Sequence, residues 1–440
     1  MMKSMMSGES KYVEYKVTYS KTFLKTVSAY ANYHSGTIVF GINDDGEVIG
    51  VDKVDSLKLS IEHAIHDAID PVPYYDINVA EEDGKTLVLL NVYKGEHTPY
   101  NYSGKPYQRK DTSSVQVDRI SHRELILNGQ NMGFDELEYR DDNLSFAFLR
   151  SRLKQFMGID NLTDDLLRTL ELKKISNFVN AAALLSDFNP IKSSVINMIA
   201  YKDDTVREII DREVLETISL VEQYEACLRF YRKHINTSEK IQGPYRETVE
   251  EVPLVAYREA ITNAIIHRDY LRGAAIRIQV FSNRIEIVSP GSLPIGLSVD
   301  EYEIGNISIV RNRIIADVFR RLGIVEKFGT GIQRIKEYYR DLSEQPKFMV
   351  YDNSVTVVLP RNTEVSRVSQ KTTKVVANMT EREQRVYLLL QEKESVTRAE
   401  IEQVLQLKRS QSGELLKSMK EKDVILMIGS GRNTKYTLKG

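Results

Sequence analysis

Three polar residues recur at intervals of four in an otherwise apolar segment: Glu259, Asn263 and His267, set among Val255, Ala256, Ala260, Ile261, Ala264 and Ile265 of Leu254–His267. At 3.6 residues per turn they share one face of a helix. Burying an unpaired carboxylate or amide costs kilocalories, so such a stripe must look into a cleft or onto a partner. Further on, Gly329-Thr330-Gly331-Ile332 precedes a helix expected over Ile332–Tyr339. Free backbone N–H groups at a helix N-terminus suit phosphate.

Basic residues form the second set. The chain carries 60 Lys+Arg against 62 Asp+Glu, which excludes a uniformly basic nucleic-acid binder and leaves local patches. Residues 371–440 hold 14 Lys+Arg against 9 Asp+Glu, and the patch is there. Helices are expected over Thr380–Gln391, from near Thr397 with Glu400 completing its cap, and over Lys408–Lys420. Strands Val424–Ile428 and Thr434–Leu438 follow around Gly429-Ser430-Gly431-Arg432. Three helices and a hairpin resemble the winged helix-turn-helix, whose third helix enters the major groove. Lys408, Arg409, Ser410 and Gln411 would then reach bases or phosphates, and Arg432 and Lys435 on the wing would touch the backbone. The plain alternative is a solvated small domain that contacts proteins. Arg109 and Lys110 also suit phosphate, as would any surface pair. His63 and His66 lack further ligands, so zinc is set aside.

The elements that must position these residues fall into five stretches, and 440 residues allow about two to four domains. Residues 1–130 read as an α+β domain with a helix through Phe23, Leu24, Val27 and Ala31. Two hairpins are expected there, Ile38–Phe40 with Val48–Val51 and Tyr75–Ala80 with Thr86–Tyr93, each around an Asp-Gly turn. Residues 131–244 read as a mainly helical connector with one strand at Ser194–Tyr201 and an amphipathic run Glu213–Lys233. A second α+β unit spans 245–360, a polar linker 361–379 and the winged helix 380–440. One cysteine, Cys227, and no apolar run of the ~18–20 residues a membrane helix requires point to a cytoplasmic chain without a membrane partner.

The string Arg258–Tyr270, with Asn283–Gly291 after it, resembles the ATPase-like region of bacterial and archaeal Schlafen-related transcriptional regulators, some of which carry RecG-like names. The resemblance covers Tyr245–Leu359 and implies a GHKL-type sandwich. Glu259 would then activate water, Asn263 would help to hold Mg²⁺, His267 would join the pocket, and Gly329, Thr330 and Gly331 would form the lid box. The implied cofactor is ATP or another nucleotide with Mg²⁺. Where GHKL enzymes have Asp-x-Gly-x-Gly, this chain has Ser289-Pro290-Gly291-Ser292-Leu293. Without that carboxylate adenine loses a charge-assisted hydrogen bond, so weak or base-tolerant binding with little hydrolysis is expected. The alternative is a retired fold kept for packing or dimerisation. No Gly-x4-Gly-Lys-Ser/Thr sequence occurs, against a AAA or RecG motor.

Glu9–Lys16, Ser28–Asn32 and Gly36–Gly46 resemble the Schlafen core, or Alba-like DNA-binding domain, over Glu9–Ile126. Catalytic Schlafen proteins cleave tRNA, and the resemblance maps their acids onto Glu9, Glu14 and Asp44, with Lys16 nearby. Three converging carboxylates would hold Mn²⁺ or Mg²⁺ and activate water. Otherwise Glu14 pairs with Lys16 at a strand edge and Asp44 shapes a turn. The whole reads as an α+β chain: a Schlafen/Alba-like domain, helical connector, GHKL-like module and winged helix. The expected function is a homo-oligomeric, DNA-binding transcriptional regulator that senses a nucleotide or ligand. The competing reading is a metal-dependent endoribonuclease with RNA as its substrate.

Overall fold

The computed structural model describes residues 8–242, 245–305, 309–325, 330–362, 379–393, 395–422, 424–429 and 434–438, with backbone alone at 238–242, 245–249 and 391–392. The chain divides into two compact units, residues 1–234 with 252–361, and residues 235–251 with 362–440. No described helix is long and apolar enough to cross a membrane.

The first unit begins with β1 (Val13–Lys16), α1 (Phe23–Tyr33), β2 (Gly36–Phe40), α2 (Val54–Ala68) and β3 (Ile69–Asp70). It continues through β4 (Tyr75–Glu82), β5 (Lys85–Val92), β6 (Asn101–Tyr102), β7 (Lys105–Lys110), β8 (Ser113–Gln116) and α3 (Arg119–Gly129). A four-stranded sheet runs β1-β2-β5-β4, with β1 parallel to β2 and α1 as the crossover between them. A smaller sheet runs β3-β6-β7-β8. Phe23, Leu24, Val27 and Ala31 meet Ile38, Phe40, Val88 and Leu90 of the sheet and Ile61 and Ile65 of α2. On its other side α1 turns buried Ser28 and Asn32 toward the smaller sheet. There Asn32 Nδ2 donates to the Tyr100 carbonyl at 3.0 Å, and Tyr107 N donates to Ser28 Oγ at 3.1 Å.

The hairpin expected around Asn43–Gly46 does not form. Both edges of β2 are taken, by β1 and β5, and Val48 makes only an isolated bridge to Ile42. The second expected hairpin is β4–β5, joined through Asp83 and Gly84.

After α3 come β9 (Glu138–Tyr139), α4 (Ala147–Met157), α5 (Asp164–Thr169), β10 (Phe178–Val179), α6 (Asn180–Leu185), β11 (Ile196–Tyr201), β12 (Ile209–Leu215) and α7 (Leu220–His234). The hairpin β13 (Thr237–Gln242) and β14 (Tyr245–Glu250) belongs to the second unit. The first unit resumes with α8 (Leu254–Ile266), β15 (Ile276–Val280), β16 (Arg284–Pro290), α9 (Val299–Ile304), α10 (Arg313–Arg321), α11 (Gly331–Tyr339), β17 (Lys347–Tyr351) and β18 (Ser354–Pro360).

Residues 131–244 are therefore not the mainly helical, separate connector expected. Of the run Glu213–Lys233 only Leu220 onward is helical, and β12 precedes it. β11 pairs parallel with β15, so connector strands extend the following sheet to β12-β11-β15-β16-β18-β17. Ile276, Ile278, Val280, Ile285 and Ile287 alternate into its buried face, while Arg277 stays exposed. The connector also caps a helix: Asp135 Oδ2 accepts from Ile314 N at 2.7 Å and Ile315 N at 3.1 Å at the start of α10.

In the second unit, α12 (Glu381–Lys393), β19 (Val396–Thr397), α13 (Arg398–Leu405), α14 (Arg409–Glu421), β20 (Ile425–Ile428) and β21 (Lys435–Leu438) pack around Val386, Leu390, Ile401, Leu416, Met419 and Ile425. The sheet order is β19-β21-β20. Thr397 Oγ1 accepts from Glu400 N at 3.3 Å and Glu400 Oε2 accepts from Thr397 N at 2.7 Å, the reciprocal cap that opens α13.

Candidate ligand cleft and nucleic-acid surfaces

Helix α8 buries Ala256, Tyr257, Ala260, Ile261, Ala264 and Ile265, and leaves Glu259, Asn263 and His267 partly open along one side. Asn263 and His267, with Ala260 and Ala264, form a wall of a cleft containing about 830 Å³ of empty space, its solvent-open mouth included. Ile287 and Ser289 of β16 and Val355 and Val357 of β18 line it from the sheet, and Leu293 and Pro294 from the following loop. Gly331, the first residue of α11, closes one end.

Asn263, which lines the cleft, and Glu259 stand beside it. A Cβ on Gly331 would stand 2.9 Å from Asn263 Nδ2 and 3.1 Å from Glu259 Oε2, so both side chains lie close over its backbone. Arg334, one turn into α11, donates through Nη1 to Glu259 Oε1 at 2.8 Å. Glu259 is thus a paired carboxylate beside the N-terminus of α11, where it meets both the helix dipole and a guanidinium.

At the other end stands His267. Burial, reinforced by the nearby Arg311 cation and opposed by a hydrogen bond with the Ile309 backbone, lowers its pKa to about 4, so the ring is neutral at physiological pH. Ser289 Oγ donates to the Ala264 carbonyl at 2.9 Å. Ser289 thus presents to the cleft a neutral oxygen whose proton is committed. Of the expected cleft residues Asn263, His267 and Gly331 line it, and Glu259 stands beside Gly331 without lining it. Thr330 adjoins Gly331 as the N-cap of α11, and Gly329 lies outside the described residues.

The N-terminal acids are placed differently. Glu14, 7 % exposed, makes ion pairs with Arg109 and with Lys16. Glu9 Oε1 accepts from Tyr15 N at 2.9 Å. Asp44 is exposed in a turn held by Asn43, whose Oδ1 accepts from Glu47 N at 2.7 Å. Among the described residues no group of three His, Cys, Asp or Glu side chains is arranged to hold a metal ion. Two cations already neutralise Glu14, which removes the electrostatic demand for a metal beside it. Arg109, expected at the surface, is 6 % exposed, and Lys110 next to it is exposed.

In the second unit Lys408 is the N-cap of α14, and Gln411 Oε1 accepts from its backbone N at 3.1 Å, so part of Gln411 serves the helix end. The Lys408, Arg409, Ser410 and Lys435 side chains are exposed, and Arg432 lies outside the described residues. β20 also exposes Leu426, Met427 and Ile428, an apolar strip that no basic-patch reasoning anticipates.

Sequence reasoning also missed Arg334, Arg311, Glu124 and Asp135. Arg334 was findable, as a cation one turn past Gly331 on the helix expected there. The other three act across 19 to 187 residues, and nothing local marks them.

With this geometry in place, the comparisons with known proteins match two stretches of the first unit. Residues 9–118 match the family model "Schlafen, AlbA_2". Residues 273–359 match "Putative ATP-dependent DNA helicase recG C-terminal". Two stretches of the chain are thus similar to these two family models. The second match begins after α8, so the Glu259–His267 stripe lies outside it. No curated protein matches the chain. Among solved structures, the DIP2311 protein of Corynebacterium diphtheriae is similar at 20% identity, over 100% of this chain and 96% of that one, with a TM-score of 0.46. The N-terminal domain of a RecG-related protein of Nitrosomonas europaea is similar at 22% identity, over 25% of this chain and 84% of that one, with a TM-score of 0.21.

Proposed function

We propose that the chain is a DNA-binding regulator whose cleft between α8 and α11 binds a nucleotide with Mg²⁺ and turns it over slowly or not at all. The observation that carries this reading is the convergence of Glu259 and Asn263 on Gly331, with Arg334 holding the Glu259 carboxylate. Asn263 and the N-terminus of α11 at Gly331 suit a phosphate and its cation. A carboxylate engaged by a guanidinium is a poor base for water, because the ion pair favours its unprotonated form. The recG-type match supports nucleotide binding and the AlbA_2 match supports nucleic-acid binding.

The second unit is the DNA reader in this account, a winged helix that presents Arg409 and Lys408 from α14. Its exposed cations would contact phosphates and one or two base edges. The buried Cys227 suits a reducing, cytoplasmic setting. The test is retention of random duplex DNA by the full chain with and without Mg-ATP. Recovery of a shared sequence, with an affinity that changes on adding Mg-ATP, is the expected result. Retention that is indifferent to both sequence and nucleotide would overturn the reading.

A further inference from the structure

Arg311 ties together three pieces of the first unit. Its Nη1 donates to the His267 carbonyl at 3.3 Å, where the polar helix ends. Its Nη2 donates to the Ser292 carbonyl at 3.1 Å, in the loop that walls the cleft. The same Nη2 donates to Glu124 Oε1 at 3.1 Å, on α3 of the AlbA_2-side module. Both side chains are largely buried, and burial holds the Glu124 carboxyl above its ordinary range against the pull of Arg311.

The loop and the guanidinium cannot shift independently. Gly291 has φ +104°, and a Cβ there would run into Arg311 Nη1 and stand 2.6 Å from Asp269 Cβ. A second contact repeats the arrangement. Lys94, half-buried just after β5, brings its Nζ to 2.5 Å from where a Gly296 Cβ would be. Gly296 stands between Pro294 and Leu297, both of which line the cleft. One wall of the cleft is therefore backed by the N-terminal module at two points.

We propose that Arg311 is a positioning residue through which the N-terminal module sets the cleft wall, so that nucleotide affinity depends on Glu124, which does not line the cleft. This rests on the cleft being a nucleotide site. A guanidinium is a rigid fork that holds each acceptor in a fixed direction. Losing the Glu124 carboxylate leaves a buried cation without its counter-charge and lets it leave Ser292 for water. Linkage makes the effect reciprocal: a nucleotide that fixes the 291–297 loop must also steady α3. The N-terminal module would then sense whether the cleft is filled.

The experiment is amide hydrogen exchange on the full chain, with and without saturating Mg-ATP, for the wild type, Glu124→Ala and Glu124→Gln. Residues 286–297 and 331–335 report occupancy of the cleft, and residues 119–129 report transmission. In the wild type both regions should gain protection. In Glu124→Ala the cleft should still gain protection at saturation while residues 119–129 do not, and affinity should fall roughly tenfold, inside the ~5–150-fold span of ordinary couplings. Glu124→Gln, which keeps an acceptor for Arg311, should recover part of the transmission, an effect that simple destabilisation does not produce. Wild-type protection confined to the cleft would overturn this inference and leave the nucleotide reading standing. So would a Glu124→Ala protein that matches the wild type in affinity and in residues 119–129. No protection anywhere would remove both.

Discussion

Arg334 and Glu259 meet beside Gly331 at the start of α11, Nη1 to Oε1 at 2.8 Å, so the carboxylate expected to activate water is held by a cation from the helix that should receive the phosphate. A phosphate at the N-terminus of α11 would compete with Glu259 for that guanidinium. Arg334→Ala should then weaken Mg-ATP binding by about 1.5–3 kcal/mol, the scale of a charge-assisted hydrogen bond, and leave adenosine binding unchanged. Glu259→Gln should tighten Mg-ATP by releasing Arg334. Fluorescence titration with the two ligands checks both, and a Glu259→Gln protein that binds Mg-ATP more weakly would contradict the competition.

The second unit should carry duplex binding. Deleting residues 380–440 should remove tight DNA binding, and Arg409→Ala should cost about 1–3 kcal/mol at one base position if Arg409 is a bidentate reader. Filter binding at two salt concentrations measures this. A truncated protein with an undiminished salt slope would show that DNA is held elsewhere.

The N-terminal acids should behave as a structural pair and not as a metal centre. Millimolar Mn²⁺ should leave the melting temperature of the full chain unchanged, because Arg109 and Lys16 already neutralise Glu14. Arg109→Ala should cost up to about 3–5 kcal/mol, the scale of breaking a buried pair, because it leaves the buried Glu14 carboxylate with Lys16 alone. A Mn²⁺-induced rise in melting temperature, lost in Glu14→Ala and Asp44→Ala and accompanied by tRNA cleavage, would restore the endoribonuclease reading.

Stability should depend on Asp135 in an unusual direction. Burial, against its two backbone hydrogen bonds at α10, raises the pKa of this fully buried carboxyl to about 7, and its Oδ1 has no partner. Between about pH 4 and 7 the folded chain keeps a proton that the unfolded chain has released. The stability due to Asp135 is therefore full below about pH 4 and falls as pH rises through 7. Asp135→Asn keeps an oxygen for Ile314 N and Ile315 N and should flatten this loss. Melting both proteins from pH 5 to 8 checks it: the wild type should lose ground to the variant as pH rises, and parallel curves would contradict the assignment.

What the sequence revealed was local. The stripe Glu259-Asn263-His267 is one helix face and needs only a 3.6-residue period to be seen, and the cap Thr397–Glu400 is likewise four residues long. The strand β12 was hidden because Ile209, Ile210 and Val214 are exposed on a sheet edge, so its run blends into the helix that follows. The missing hairpin after β2 shows the reverse error: Asn43–Gly46 has the right turn chemistry, but β1 and β5 had already taken the edges a new strand would need. Arg109 reads as a surface cation until the fold brings Glu14 beneath it. The Arg311–Glu124 contact, across 187 residues, exists only once two modules are packed together.

Whether the cleft binds a nucleotide without efficient turnover is read from calorimetric titration of the full chain with Mg-ATP, with phosphate release followed in the same samples. Saturable binding that weakens in Asn263→Ala, with little phosphate released, is the predicted result. Absence of binding, or brisk phosphate release abolished by Glu259→Ala, would contradict it.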